Sequence, residues 1–222
     1  MVVLSCYAFI AARSQAKVLK GQPKAPKKTL AFGVIIKQPV FIFLTLLTFG
    51  YGAVEFGNAN WFVSYAQNGL GFTGEQSRNL LAFFTAGMVI SRLTFPFLLR
   101  FVSVHRMIVI MATASLAGVF ALKLMPSFYG IGAGNLLLGL GLGGLFPLAL
   151  SAAMNIDSDN GPVLSGISII GNSTGVQVAS FSTGLWANFA PLTTAFWVIP
   201  LGGCVLWLAS YGYSRKIKYH RG

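Results

Sequence analysis

Glu55 is the residue in this chain whose type and setting point most directly to chemistry. It is one of only four acids among 222 residues and lies in a long apolar stretch, Pro39 to Tyr65. Glu75, Asp157 and Asp159 fall instead in polar connecting segments. A carboxylate inside a hydrocarbon-length helix is costly by several kcal/mol, and such residues usually face a bundle interior or a wet cavity. At about 100° per residue, Tyr51, Glu55, Asn58, Phe62 and Tyr65 fall on one helical face and Asn60 on the opposite side. Two uses fit this placement: a functional carboxylate, or a neutral one hydrogen-bonded to a neighbouring helix as structural glue.

The other polar residues within apolar stretches are uncharged hydrogen-bonders: Asn58, Asn60, Asn135, Asn172, Thr174 and Gln177. Ser165, Ser168, Asn172 and Gly175 share a helical face, with Gln177 well off it. Amides, hydroxyls and aromatic rings suit a hydroxylated neutral solute, because they pair with OH groups and stack on the apolar faces of sugars. Interhelical hydrogen bonding, worth only about 0.6–2 kcal/mol each, accounts for any single Asn. The Glu–Asn face together with Asn172 fits either use. Arg92, in Gly87-Met-Val-Ile-Ser-Arg-Leu, is the second ionic oddity. It can snorkel to the interface, or pair with an acid or a helix C-terminus at a cytoplasmic gate.

Enzyme signatures are absent from the sequence. There is no His-Glu-x-x-His, no Gly-x-Ser-x-Gly and no carboxylate pair within one apolar span. His105 sits in a basic turn and His220 in the tail. Cys6 and Cys204 lie in apolar stretches, without metal or disulfide spacing, and read as small buried hydrophobes. No cofactor is expected.

The elements that position these residues follow from composition. Hydrophobic residues make up 55% of the chain and charged residues 9%, with mean hydropathy +0.72. A soluble domain carries roughly 25% charged residues, so membrane lipid is the expected solvent. The 26 glycines fit helix packing in membranes. The net charge of +12 is concentrated in Arg13 to Lys37, in the turn Arg100 to Arg106 and in Arg215 to Arg221. Those places lie between or beyond apolar stretches, which is the positive-inside pattern and not a nucleic-acid groove.

Spans need about 20 apolar residues each. Six are expected: Pro39 to Ala66, Leu80 to Leu99, Met107 to Met125, Phe128 to Met154, Leu164 to Asn188 and Thr193 to Tyr213. All three basic clusters then fall on the cytoplasmic side, with both chain ends inside. Val2 to Ala12 is too short to span and reads as the last turns of a preceding helix, followed through residue 38 by a basic linker. Residues 214–222 form a basic tail. Gly139-x-x-x-Gly143 permits close helix approach. It is not a phosphate loop, since no Lys-Ser/Thr follows and no strand precedes it. Pro147 can kink the same span.

Four segments carry a family resemblance. They are Phe49-Gly-Tyr-Gly-Ala-Val-Glu-Phe-Gly-Asn-Ala-Asn-Trp-Phe-Val-Ser-Tyr65, Gly87-Met-Val-Ile-Ser-Arg-Leu93, Gly143-Gly-Leu-Phe-Pro147 and Ser165-Gly-Ile-Ser-Ile-Ile-Gly-Asn172. In order and spacing they resemble the C-terminal half of a major facilitator superfamily transporter, in the fucose-permease-like sugar transporter group. Glu55, Trp61 and Tyr65 match the opening helix of that half, and Gly87 and Arg92 the next helix, with Ser91 replacing the usual Gly. The resemblance implies an all-α integral membrane protein, one six-helix half of a twelve-helix fold, with substrate between the halves near the midplane. It implies symport of a small polar solute with a proton. Glu55, Asn58, Trp61, Tyr65, Asn135 and Asn172 would line the cavity, and Arg92 would belong to the cytoplasmic gate. The implied partner is an N-terminal six-helix half or a second copy. The alternative is a half-size membrane protein that assembles with a partner and transports nothing itself.

Overall fold

The computed structural model describes residues 38–157 and 160–220, and among them the regular structure is entirely helical. Val2 to Ala12 and the basic residues Arg13 to Lys37 lie outside the described residues, as do Asp159 and Arg221. We number the helices α1 (Pro39–Ser64), α2 (Gly74–Leu98), α3 (Val104–Leu124), α4 (Phe128–Leu142), α5 (Leu145–Met154), α6 (Gly161–Ala187), α7 (Leu192–Ala195) and α8 (Val198–His220).

Local chemistry sets the helix starts. Pro39 opens α1, where its missing N–H costs nothing. Thr73 and Gln76 form a reciprocal capping box on α2, at 3.2 and 3.0 Å. Between them α1 widens into a π-helical turn, Tyr65–Gly69, and the chain reverses at Gly71, whose φ of 77° suits only glycine.

Five stretches are long and apolar enough to cross a membrane: Pro39–Gly69, Gly74–Leu98, Val104–Leu124, Phe128–Met154 and Leu192–Ile217. The architecture is that of a multi-pass membrane protein. The sixth expected span, α6, is 27 residues long but is not among these five. It is rich in hydroxyls and amides, including Ser165, Ser168, Asn172, Ser173, Thr174, Gln177 and Ser180. Hydroxyls of Ser165, Ser168 and Thr174 donate back to carbonyls of their own helix, which lowers the cost of burying them.

Two expected spans are interrupted. Phe128 to Met154 is divided into α4 and α5 at Gly143-Gly144, ahead of the anticipated kink at Pro147. The last span breaks at Phe196-Trp197, with Pro200 in the first turn of α8, a position where proline is tolerated. Helix α8 then continues through the expected tail to His220.

Glycine contacts set the helix directions. Thr45 and Thr48 meet Gly171, Phe49 meets Gly175, and Trp61 meets Gly184, so α1 and α6 run parallel. Helix α6 therefore traverses the same depth as α1. Leu206 meets Gly50 and Ile199 meets Gly57, so α8 is antiparallel to α1. A Cβ on Gly139 would collide with the Phe84 carbonyl of α2, and one on Gly143 would press on Met88 and Ser91. That is the close approach expected of the Gly139-x-x-x-Gly143 spacing. Leu44, Leu47, Val54 and Phe62 of α1 are buried in one continuous core with Leu80, Ile108, Leu122, Leu138, Leu145 and Leu206.

Candidate functional site

The face of α1 anticipated from periodicity is turned inward. Tyr51, Asn58, Phe62 and Tyr65 are buried, and Glu55 is half-buried at the edge of the same face. Asn60, opposite, is exposed and donates to the Ser180 hydroxyl of α6 at 3.2 Å.

Tyr51 and Glu55 stand one turn apart on this face, and Arg92 of α2 lies near enough to act on both electrostatically. Phe146 of α5 stacks on Tyr51, with ring centroids 5.3 Å apart. The position of Arg92 has a cause in the sequence. Pro147 has no N–H to offer the carbonyl four residues back, that of Gly143. Gly143 also caps the C-terminus of α4, where carbonyls carry partial negative charge. The Arg92 Nε donates to that freed oxygen at 3.3 Å. Arg92 thus meets the C-terminus of α4, one of the partners expected for it. Its side chain remains exposed.

Asn172 borders this group from α6. The buried stripe of α6 is Ser168, Gly171, Gly175, Ala179 and Thr183, and Asn172 sits beside it, half-exposed. A side chain at Gly52 would collide with the Asn172 carbonyl, so glycine lets α6 bring its amide to the turn of α1 below Glu55. Among the described residues no donor reaches the Asn172 Oδ1, and that oxygen is itself buried. A carboxylate and a guanidinium near a phenol can exchange a proton and bind hydroxyls, with the buried Asn172 oxygen an acceptor that opens only if α1 and α6 move.

The remaining expected site residues lie elsewhere. The Asn58 Nδ2 donates to the Asn135 Oδ1 at 3.2 Å, and both side chains are completely buried. They tie α1 to α4 and meet no open surface in this conformation. Replacing Asn135 with Ala should destabilise the protein by about 0.6–2 kcal/mol by orphaning Asn58. The unfolding midpoint in detergent should fall, and an unchanged midpoint would show the pair contributes nothing. The Trp61 indole donates to the Ser180 carbonyl at 3.2 Å. Tyr65 is buried, donates to the Leu122 carbonyl at 3.1 Å and stacks on Phe196 at 4.1 Å.

Lys123 was not anticipated. It donates to the Thr193 carbonyl and lies 5.1 Å from the centroids of both Tyr65 and Trp197. A lone cation at the end of an apolar span was the available signal. Its aromatic partners come from two distant segments and left none. Tyr51 was legible as a face-mate of Glu55, but Phe146 as its stacking partner was not.

Comparison with protein-family models, with curated proteins and with solved structures returns no match.

Proposed function

We propose that this chain is one six-helix half of a major facilitator superfamily fold that carries a small polar solute, a sugar in the most specific form of the reading, by alternating access with proton symport. The observation that carries it is a carboxylate, Glu55, on the inward face of α1 with Tyr51 one turn away, beside the α4–α5 break where Arg92 binds the Gly143 carbonyl and Phe146 stacks on Tyr51. A carboxylate near a guanidinium is favoured as the anion, and when it takes a proton the charge left on Arg92 rests on an exposed side chain that still donates to the Gly143 carbonyl. The Arg92–Gly143 contact joins α2 to the junction of α4 and α5, and exchanging it for another partner would let those helices rock apart, as a gate requires. Asn58, Trp61, Tyr65 and Asn135 support the cavity wall in this reading, while Glu55 and Asn172 face the solute.

The test is flux through the protein reconstituted in lipid vesicles with a panel of labelled sugars and polyols. Accumulation of at least one solute under an inward proton gradient, collapsing with a protonophore, is expected. A folded preparation that moves none of them with or without the gradient overturns the reading.

One observation favours a second reading, assembly without transport of its own. Asn60, Ser173, Thr174 and Gln177 form an exposed polar set on α1 and α6. Polar side chains at membrane depth face protein or water, and an N-terminal half or a second copy would cover them. Cross-linking in native membranes from cysteines placed at Ser173 and Gln177 separates the readings. Cross-linked assembly without uptake supports the second, and failure to capture any protein neighbour removes it.

A further inference from the structure

Helices α3 and α8 pack antiparallel, and three contacts set their register. Val119 and Leu116 flank Gly203, and the Trp207 indole donates to the Thr113 hydroxyl at 3.0 Å. Residue numbers rise along one helix as they fall along the other. Arg106 lies seven residues before Thr113, and Ser214 seven after Trp207, so Arg106 and Arg215 stand at the same level.

On each helix these residues form one face. Arg106, Ile110 and Thr113 recur at helical spacing on α3, and all three are exposed. Trp207, Tyr211 and Arg215 do so on α8. The rings of Trp207 and Tyr211 are stacked, 5.6 Å apart and 6° from parallel, and the Arg215 guanidinium lies 4.9 Å from the Tyr211 centroid. A flat aromatic wall therefore rises from a pair of arginines, beside the exposed Ile110 and Leu208. Lys216 is exposed at the same end. The polar atoms at the upper end of the wall are already engaged, since the Thr113 hydroxyl also donates to the Val109 carbonyl at 2.8 Å.

We propose that this face of α3 and α8 binds an anionic phospholipid in the leaflet at the basic end of the bundle. Arg106 and Arg215 hold the headgroup phosphate, and an acyl chain lies along Tyr211 and Trp207. Guanidinium forks match phosphate oxygens geometrically. Basic pockets between transmembrane helices select anionic headgroups. The occupant is argued from charge: the arginines complement a net negative headgroup and gain less from phosphatidylcholine, whose phosphate is offset by its own choline cation. The inference requires only a membrane-embedded chain and does not depend on transport.

The experiment uses the protein in vesicles containing phosphatidylglycerol or phosphatidylcholine with brominated acyl chains, which quench nearby tryptophan fluorescence. The Trp207 signal is the part lost in Trp207→Phe. Brominated phosphatidylglycerol should quench it more strongly at equal bulk fraction. Arg106→Gln with Arg215→Gln should erase the preference, at about fivefold in relative affinity for each cation removed. Arg106→Lys with Arg215→Lys should keep most of it, which separates lost charge from lost fold. Equal quenching by the two lipids, a preference surviving the double Gln variant, or loss of preference in the Lys variant overturns the proposal.

Discussion

Glu55→Gln is expected to abolish proton-driven uptake while leaving counterflow exchange intact. Glutamine keeps the size of glutamate and a carbonyl oxygen, so the packing around Tyr51 and Phe146 is retained. What it removes is the ability to take and release a proton. A symporter then loses the step that couples solute to the gradient, whereas solute-for-solute exchange needs no proton to dissociate. The experiment also separates the two uses for this carboxylate. A glutamate serving only as a hydrogen-bonding tie between helices is replaced adequately by glutamine, and both fluxes would continue. Loss of both would mean that the carboxylate binds the solute itself. Loss of neither would sink the coupling role.

Gly175→Val should prevent stable folding. Glycine at this position lets α6 lie directly on the backbone of α1, and any Cβ would collide with the Phe49 carbonyl. Backbone cannot swing aside as a flexible side chain does, so the two helices must separate. Gly171 and Gly52 keep the same contact close, so the displacement would spread along the interface. Overpacking costs about 1–3 kcal/mol where side chains can adjust, and the rigid contact here puts the substitution at the upper end or beyond. Gly166→Ala is the matched control. A Cβ there meets nothing within 4 Å, and alanine is the better helix former by up to about 1 kcal/mol. Expression of folded protein and the unfolding midpoint in detergent are the readouts. Gly175→Val should fall sharply in both while Gly166→Ala holds or gains. Equal behaviour of the two variants would mean that α1 and α6 are not held by this contact.

The same two sites mark how far the sequence could be read. The inward face of α1 was visible because a helix repeats every 3.6 residues, and a buried stripe declares itself locally. The shared face of α6 matches the buried stripe only in part: Ser168 and Gly175 are buried, but Gly171 completes the stripe, and Ser165 and Asn172 stand at its edge. The break between α4 and α5 was legible as a kink from Pro147, and it falls about one turn earlier, at Gly143-Gly144, where the missing N–H of Pro147 leaves the Gly143 carbonyl without its helical partner. Asn58 and Tyr65 were grouped with Glu55 by helical periodicity and Asn172 by its chemistry, while Trp61 and Asn135 joined them through the resemblance. The structure distributes them among a buried amide pair, an indole contact to α6, an aromatic stack at the far end of α1, and an amide beside Gly52.

By itself the sequence determined the solvent, the approximate spans and the inward face of α1, since hydropathy, length and helical periodicity act within one segment. It also made the Gly143 carbonyl available, because Pro147 lacks the N–H that would have bound it. Only the tertiary structure decided that Arg92, 51 residues away, would take that oxygen, that Asn58 would find Asn135, and that Lys123 would settle between Tyr65 and Trp197. Those pairings depend on which helices lie together and at what register. Backbone contacts at Gly139 and Gly175 set both, and no periodicity along a single helix encodes them.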